Sequence, residues 1–378
     1  MLRGIHVWGF AERVRQALQR KRQGGKGKAI FSFIGVSFSL ACKVTKRNAI
    51  LDLFSLLFFN FVVDNLRNKA MEMQFERCGR SGILLPRVSL GLWHNFGADD
   101  DYDRARSIVL HAFERGIVHL DLANNYGPPP GSAEQTLGRI LHQDLAAHRD
   151  ELLLSTKAGY EMWQGPYGNW GSRKSLMASL DQSLKRMGVD YVDIFYSHRY
   201  DPLTPMDETL QALVDIVRQG KALYIGISRW PLEATKYAID YLRSRDVPPL
   251  IYQGRLNLLD RSPQEEGILD LCKREGLGFI SFSPLAQGLL TDRYLSGTVP
   301  EGSRMSREHF LKHDALTPEL LERLRRWNAQ AEQANHTLAQ CALSWVLKQK
   351  AVTSVLVGAS SAQQLDDSLQ CLCAPALE

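Results

Sequence analysis

The stretch HLDLANNYG, residues 119–127, sets the pattern on which the fold prediction rests. Its first half follows two apolar residues and has the character of a strand that ends at Asp121. The polar loop after it contains Tyr126 and ends in glycine. Two later apolar segments end in the same way, the first at Lys157 and the second at His198. The carboxyl ends of the parallel strands in a (β/α)8 barrel meet on one face, where active sites are built. The pattern therefore predicts that an acid, a phenol, an ammonium and an imidazole lie close together.

Strand and helix patterns alternate on both sides of this stretch, from residue 75 almost to the end of the chain. Such a rhythm is typical of an α/β protein that forms a (β/α)8 TIM barrel as a single domain. The alternative is a doubly wound open sheet, which is disfavoured because no G-x-G-x-x-G sequence follows the first predicted strand. The predicted strands span residues 84–92, 117–121, 151–156, 191–197, 222–227, 250–253, 277–282 and 352–357. The predicted helices span residues 103–115, 133–143, 172–187, 207–218, 231–244, 263–274, 317–333, 337–349 and 361–371.

Charge is unevenly distributed along the chain. The formal net charge is +5, but residues 1–70 contain 13 Lys and Arg against 3 Asp and Glu, which leaves 33 against 38 in the remainder. The body of the protein is therefore mildly acidic, and its composition gives no support for nucleic-acid binding. The six cysteines show neither the spacing of a zinc site nor a C-x-x-C motif, so we predict free thiols and no metal.

Residues 1–72 contain a basic run and two apolar segments, 29–42 and 50–63, but no barrel motif. Both apolar segments are shorter than the roughly 20 residues that cross a membrane. We therefore predict an extension outside the barrel, with Met71 or Met73 as a natural start, and a cytoplasmic protein that binds no membrane. The alternative is a protein that is exported or anchored through this extension.

The barrel is predicted to occupy residues 73–378. Its last helix pattern, 361–371, places Leu365, Leu369 and Leu372 on one face, which would cover the seam between the last and the first strand. Because the chain ends soon afterwards, the sequence predicts a short C-terminal closure of the barrel.

The four polar residues at the predicted strand ends suit proton transfer to an oxygen atom. A phenol has a pKa of about 10 and gives up its proton reluctantly at neutral pH. An ammonium beside it stabilises the phenolate, so Lys157 would lower the pKa of Tyr126, and Asp121 would keep Lys157 charged. His198 would donate to a carbonyl oxygen and orient it. Each residue alone also has an ordinary structural interpretation, such as a helix cap or a solvated lysine, but their combination favours catalysis.

With these residues in view, the sequence resembles the aldo-keto reductase family over residues 75–370. The motifs that carry the resemblance are HLDLANNYGPPPGSAEQTLG, LLLSTKAGY, YVDIFYSHRYDPLTPMDETL, KALYIGISRW and ISFSPLAQGLLTDRY. The run YGPPPGSAE together with SHRYD is most similar to the bacterial L-glyceraldehyde 3-phosphate reductase branch. The same segments resemble the β subunits of voltage-gated potassium channels. The resemblance implies a TIM barrel whose mouth binds NADPH, with a catalytic tetrad formed by Asp121, Tyr126, Lys157 and His198.

The resemblance also implies a set of residues that contact the cofactor and the substrate. The nicotinamide end of NADPH would be held by Trp93, Asp121, Ser228, Arg229, Gln253 and Phe282. The pyrophosphate would be lined by Ser283, Pro284, Leu285 and Gly288, and its charge would be met by Arg293 and Arg304. The adenosine end would be held by Ser360, Gln364 and Asp367. The substrate pocket would be walled by Trp93, Tyr160 and Trp163.

Two functions are consistent with these features. The first is NADPH-dependent reduction of small aldehydes and ketones, with L-glyceraldehyde 3-phosphate and methylglyoxal-like compounds among the substrates. The second is an NADPH-binding regulatory subunit that resembles the channel β subunits. His198 favours the enzyme, because a complete acid–base set is needed for turnover and not for binding. The expected partner is a small carbonyl compound, and homo-oligomer formation stays open.

Overall fold

The computed structural model describes residues 73–300, 305–306 and 315–377 of this 378-residue chain. The extension predicted for residues 1–72 and the cofactor candidate Arg304 therefore lie outside the described residues. The strands of the described part are β1 (Phe75–Arg77), β2 (Leu84–Pro86), β3 (Val88–Gly91), β4 (His119–Asp121), β5 (Leu153–Ala158), β6 (Val192–Ser197), β7 (Ala222–Ser228), β8 (Ile251–Arg255), β9 (Gly278–Phe282) and β10 (Val352–Val357).

Strands β3 to β10 form a closed barrel in which all neighbouring strands are parallel. They follow one another around the barrel in chain order, and β10 closes it by pairing with both β9 and β3. The predicted (β/α)8 barrel is thereby confirmed. The carboxyl ends of these eight strands form one rim, which we call the barrel mouth.

Helices surround this barrel, and several begin at a residue whose side chain caps the first turn. The Asp101 side chain accepts from the Arg104 amide at 3.0 Å, and Thr337 forms a capping box with Gln340. The α-helices of the described part are α1 (Tyr102–Glu114), α2 (Ser132–Ile140), α3 (Arg173–Met187), α4 (Met206–Arg218), α5 (Leu232–Arg243), α6 (Ser262–Glu265), α7 (Ile268–Glu275), α8 (Pro318–Gln333), α9 (Leu338–Leu347) and α10 (Ala362–Leu369). None of them combines the length and the apolar character needed to cross a membrane.

The amino end of the barrel differs from the prediction, because the single strand expected over 84–92 is two strands. β2 pairs antiparallel with β1, and only β3 enters the barrel. Cys78 and Leu85 of this hairpin are buried against Ile194 and Ile280 of the barrel interior. A continuous apolar pattern does not show whether it forms one strand or two consecutive strands that belong to different sheets. The hairpin therefore closes the end of the barrel that lies opposite the mouth.

The predicted helix over 263–274 is also divided, into α6 and α7. Gly267 interrupts it with a φ of 83°, a left-handed conformation that glycine adopts without the strain of a side chain. The C-terminal helix begins as predicted and buries Leu365 and Leu369, but α10 ends at Leu369. Leu372 lies in a following turn and is half-buried, so it does not continue the helix face.

Candidate active site

The side chains predicted for catalysis lie at the carboxyl ends of neighbouring strands. Asp121 is the last residue of β4, Lys157 is the penultimate residue of β5, and His198 directly follows β6. The Lys157 Nζ atom lies 2.5 Å from Asp121 Oδ2 and 3.5 Å from the hydroxyl of Tyr126 in the loop after β4. The ring centroids of Tyr126 and His198 are 6.1 Å apart. The structure therefore brings these four side chains together at the barrel mouth.

The ion pair between Asp121 and Lys157 is buried and closely hydrogen-bonded. Lys157 Nζ also donates to the Leu122 carbonyl at 2.6 Å. Asp121 Oδ1 accepts from Ser155 Oγ at 2.7 Å and from Gln253 Nε2 at 3.2 Å. Burial lowers the pKa of Lys157, and the carboxylate of Asp121 opposes that shift. A buried pair is stable only when its remaining donors and acceptors are satisfied, and these contacts meet that condition.

A chain of hydrogen bonds runs through the barrel interior to Asp121. His119 Nε2 lies 3.0 Å from Ser155 Oγ, and His119 Nδ1 lies 2.9 Å from Ser89 Oγ, which itself lies 2.7 Å from Ser354 Oγ. A carboxylate can only accept, so Ser155 donates its one hydroxyl proton to Asp121. Ser155 must then accept from His119 Nε2. His119 therefore carries a proton on Nε2, and in the neutral ring its Nδ1 accepts from Ser89.

Burial supports this neutral state of His119. It lowers the pKa of His119 to about 4, and the ammonium of Lys157 adds to the shift while the carboxylate of Asp121 opposes it. His119 and Asp121 are two residues apart on β4, and Ser155 and Lys157 are two residues apart on β5. Because alternate residues of a strand face the same side, each pair points into the barrel.

Tyr126 is protonated at neutral pH in this setting. Burial raises its pKa well above the ordinary range, and the negative charge of Asp121 adds to the shift. The net lowering of the Tyr126 pKa that the sequence led us to expect is therefore not found, because burial and the charge of Asp121 both disfavour the phenolate. The protonated hydroxyl is nevertheless the form that a proton donor requires. The ring of Trp93 stacks on that of Tyr126 with centroids 6.0 Å apart.

His198 differs from the acid and the lysine because its polar atoms are incompletely bonded. Its Nδ1 atom is buried and has no hydrogen-bond partner within the described residues. Burial lowers the pKa of His198 well below its ordinary value, and the positive charges of Lys157, Arg229 and Arg199 lower it further. The ring is thus neutral at pH 7. Tyr160 contacts it edge-on, with centroids 4.6 Å apart.

Four of the residues predicted to hold a nicotinamide belong to β7, β8 and β9 or directly follow them. Ser228 and Gln253 are partners in the sheet register, and both are buried. Arg229 follows β7, and its Nη1 atom donates to the Tyr160 hydroxyl at 2.7 Å. Phe282 ends β9 and is half-buried. Gln253 is the member of this group that touches the ion pair, through its contact with Asp121.

Two residues in the loops that follow β7 and β9 have an unusual backbone conformation. Arg229 has a φ of 57° and Ser283 has a φ of 49°, although neither is glycine. Pro284 and Leu285 follow Ser283 in the same loop, which continues to Gly288 with a φ of 99°. Left-handed conformations of larger residues are strained and cluster at ligand clamps and active sites.

The remaining predicted residues lie in other loops and on the last helix. Arg293 has an exposed side chain, and Arg304 lies outside the described residues. The Ser360 amide and hydroxyl both donate to Gln364 Oε1, at 2.7 and 2.8 Å, at the start of α10. Asp367 is exposed on the same helix. Trp163 is half-buried in the loop after β5, where Tyr160 is the residue that contacts the imidazole.

A sequence model described as the aldo/keto reductase family matches residues 87–376. The chain belongs to the aldo/keto reductase family. L-glyceraldehyde 3-phosphate reductase of Escherichia coli O157:H7 is 56% identical over 306 residues, which are 80% of this chain and 88% of that protein. The protein of the same name from Escherichia coli strain K12 is 55% identical over the same shares. A probable voltage-gated potassium channel subunit beta of Oryza sativa subsp. japonica is 33% identical over 305 residues, which are 79% of this chain and 91% of that protein.

Several residues at the mouth of this aldo/keto reductase were not identified from the sequence. His119 and Ser155 belong to the series of hydrogen bonds that ends at Asp121. The available signal was that each is a polar residue two positions before Asp121 or Lys157 on a strand. Arg199 lies over the rings of Trp170 and Tyr160, at 3.6 and 4.3 Å from the ring centroids. A signal for Arg199 was present too, since it directly follows His198.

Proposed function

We propose that this aldo/keto reductase uses NADPH to reduce small aldehydes and ketones to alcohols, with L-glyceraldehyde 3-phosphate and methylglyoxal-like compounds among the substrates. Membership of an oxidoreductase family supports carbonyl reduction in general. Two relatives that are 55% and 56% identical and are named for reduction of L-glyceraldehyde 3-phosphate support the choice of substrate.

One observation carries the proposal, namely the ammonium of Lys157 held between Asp121 and the Tyr126 hydroxyl. In the proposed reaction Tyr126 donates its proton to the carbonyl oxygen of the substrate. Lys157 stabilises the phenolate as it forms, and the Asp121 carboxylate keeps the ammonium in position. The neutral ring of His198 has one N–H group, which donates to the same carbonyl oxygen and orients it.

The residues at the mouth fit a bound nicotinamide nucleotide. The strained backbone at Arg229 and Ser283 and the unpartnered, buried Asn124 Oδ1 are features that a ligand would stabilise or complete. When bound, NADPH supplies the hydride that reduces the carbonyl carbon. The nicotinamide end would be held by Trp93, Asp121, Ser228, Arg229, Gln253 and Phe282. The phosphates and adenosine would be held by Ser283, Pro284, Leu285, Gly288, Arg293, Arg304, Ser360, Gln364 and Asp367.

The same geometry favours turnover over a role limited to binding. The alternative function, an NADPH-binding regulatory subunit, would need a cofactor site but no acid–base set. Here the ammonium lies within 3.5 Å of the phenol, and a neutral imidazole faces the same ring. A protein that only bound NADPH would have no need for this expensive burial of charged groups.

Replacement of Tyr126 by Phe tests the proposal directly. We expect Tyr126→Phe to lower kcat for the reduction of methylglyoxal and L-glyceraldehyde 3-phosphate by about 10²–10⁴-fold, the usual contribution of a general acid. NADPH binding, measured by fluorescence titration, should stay nearly unchanged because the ring and its contact with Trp93 remain. NADPH oxidation during the reaction reports the rate.

Tyr237→Phe is a matched control, because this phenol is exposed and donates to Asp207 Oδ1 at 2.6 Å on helix α4. It should retain the wild-type rate. A Tyr126→Phe rate above about a tenth of wild type would show that another group donates the proton.

A further inference from the structure

Arg199, the residue after His198, has a guanidinium group that is fixed in place beside the proposed active site. It lies 3.6 Å from the centroid of the Trp170 ring and 4.3 Å from that of Tyr160. Its Nε atom donates to the Gly159 carbonyl at 2.9 Å, and its Nη2 atom donates to Asn169 Oδ1 at 2.8 Å. Among the described residues nothing accepts a hydrogen bond from its Nη1 atom.

A second guanidinium group reaches the same aromatic ring. Arg229 Nη1 donates to the Tyr160 hydroxyl at 2.7 Å, while the face of the Tyr160 ring is covered by Arg199. The Tyr160 ring also contacts the His198 ring edge-on, and the two ring centroids are 4.6 Å apart. Two positive groups are thus connected to the imidazole through one tyrosine.

No carboxylate in the described part of the chain forms an ion pair with Arg199 or Arg229. Asp201, two residues after Arg199, accepts instead from the amides of Gly171, Leu203 and Thr204. Asp201 still acts on Arg199 at longer range, because its charge raises the pKa of that guanidinium against the larger lowering by burial, but neither arginine has a carboxylate in direct contact within the described residues. Their influence reaches the imidazole, because both lower the pKa of His198 after the larger effects of burial and of Lys157.

We propose that Arg199 determines specificity by binding an anionic group, a phosphate or a carboxylate, on the aldehyde substrate. This inference rests on the proposed reductase function. A guanidinium binds oxyanions through several N–H groups in one plane, and stacking on two aromatic rings fixes that plane before the ligand arrives. His198 would orient the carbonyl oxygen, and its neighbour Arg199 would hold the anion at the other end of a short carbon chain. Arg229 remains assigned to the cofactor and adds to the positive field.

A purely structural role for Arg199 makes a different prediction. Its bonds to Gly159 and Asn169 tie the loop after β5 to the end of β6. If Arg199 served only this loop, its replacement would slow the reduction of charged and neutral aldehydes to the same extent. If Arg199 binds the anion, the charged aldehyde loses much more.

The test compares L-glyceraldehyde 3-phosphate with L-glyceraldehyde, which has the same carbon skeleton without the phosphate. In Arg199→Gln, we expect the ratio of their kcat/KM values to fall about tenfold to a hundredfold, the size of a lost hydrogen bond to a charged group. The loss should appear mainly in KM. Arg199→Lys should recover part of the ratio, because a lysine keeps the charge but loses the planar contacts.

Arg245→Gln is the matched control. Its guanidinium also stacks on a tyrosine, 3.4 Å from the Tyr241 centroid, but it follows the end of α5, at the opposite end of the barrel from the mouth. The ratio of kcat/KM values for the two aldehydes in Arg245→Gln should equal that of the wild type. Equal losses for both aldehydes in Arg199→Gln would overturn the proposal.

A binding measurement separates this inference from the proposed function. Calorimetric titration with glycerol 3-phosphate, which cannot be reduced, should show binding to the NADPH-loaded wild type and weaker binding to Arg199→Gln. If no aldehyde is turned over, the reductase function fails while this titration still decides the anion site. Undetectable binding of glycerol 3-phosphate to the wild type would overturn the anion site. Succinic semialdehyde, whose anion is a carboxylate, would show in the kinetic test whether the site selects phosphate or accepts either group.

Discussion

The two sides of the barrel mouth differ in how completely their polar groups are bonded. On the acid side, which consists of His119, Asp121, Ser155 and Lys157 on β4 and β5, the carboxylate and the ammonium have all their close partners within the protein. The imidazole side consists of Tyr160, His198, Arg199 and Arg229. Within the described part of the chain, one of its buried nitrogens has no hydrogen-bond partner and its two guanidinium groups form no ion pair with a carboxylate. We propose that the bonds of the acid side do not depend on a ligand, whereas ligands complete the imidazole side.

The difference follows from the energetics of burial. An ion pair in the barrel interior is stable only if the protein supplies every hydrogen bond, because each missing partner costs free energy of folding. A neutral histidine with one free nitrogen costs less, about 1–3 kcal/mol, and a bound substrate can remove that cost. We expect mutations on the acid side to affect folding and catalysis together, and mutations on the imidazole side to affect catalysis alone.

The largest expected effect is that of Lys157→Met. This change leaves the buried carboxylate of Asp121 without a counter-charge, so the free energy of unfolding should fall by about 3–5 kcal/mol. Reductase activity should fall with it, because the phenolate of Tyr126 loses its stabilising charge. Urea denaturation and NADPH oxidation measure the two losses.

The double variant Asp121→Asn with Lys157→Met is the control for that experiment. It removes both charges and should recover most of the lost unfolding free energy without recovering activity. A Lys157→Met protein as stable as the wild type would contradict the view that the acid side is held together by its ion pair.

The next effect concerns the pH dependence of stability through His119. This residue titrates at about 6.5 in an unfolded chain, and burial lowers its pKa to about 4 in the folded protein. Between these values the unfolded state binds a proton that the folded state does not, so the free energy of unfolding falls as the pH is lowered from 6.5 to 4. The contribution of His119 is about 3 kcal/mol at roughly 1.4 kcal/mol per pH unit.

His119→Gln isolates this contribution, because glutamine does not titrate but can still donate and accept hydrogen bonds. Urea denaturation at a series of pH values should show a shallower acid decline for the variant than for the wild type. His198 also resists protonation and contributes to the decline in both proteins, so only the difference between them is assigned to His119. Parallel curves would mean that folding does not lower the pKa of His119, which would contradict the neutral state assigned to its buried ring.

The smallest expected effect on stability is that of His198→Gln. Removal of one donor to a developing oxyanion should lower kcat by about 10²–10³-fold. The free energy of unfolding should change by no more than about 1 kcal/mol, because His198 Nδ1 has no partner to lose. A large loss of unfolding free energy with little loss of kcat in His198→Gln would contradict the view that the imidazole side serves catalysis and not folding.

The sequence was sufficient to predict the barrel and the grouping of four candidate side chains at its mouth. Asp121, Lys157 and His198 each end an apolar strand, and the geometry of parallel strands brings such ends together without knowledge of any contact. The hairpin of β1 and β2 and the break at Gly267 were not predicted. Both depend on which apolar residues face which layer, and periodicity alone does not specify that.

The environment of the site was harder to predict than its members. The expectation that Lys157 lowers the pKa of Tyr126 considered only the charge and neglected burial, which is a property of the whole fold. The link from Ser354 through Ser89 to His119 joins residues far apart in the chain, so no local pattern reveals it. The stacking of Arg199 on Trp170 likewise depends on the path of a loop.

Histidine NMR with nitrogen-15 labelling tests the central distinction most directly. Signals assigned through His119→Gln and His198→Gln would be followed as NADPH and then acetamide, an unreactive carbonyl compound, are added. We predict that His119 is neutral with its proton on Nε2 and that its signals hardly change, because its partners lie within the protein. The signals of His198 should shift, because its ring acquires a hydrogen-bond partner from the bound ligands. Shifts at His119 with none at His198 would contradict the conclusion that the acid side is complete and the imidazole side is completed by ligands.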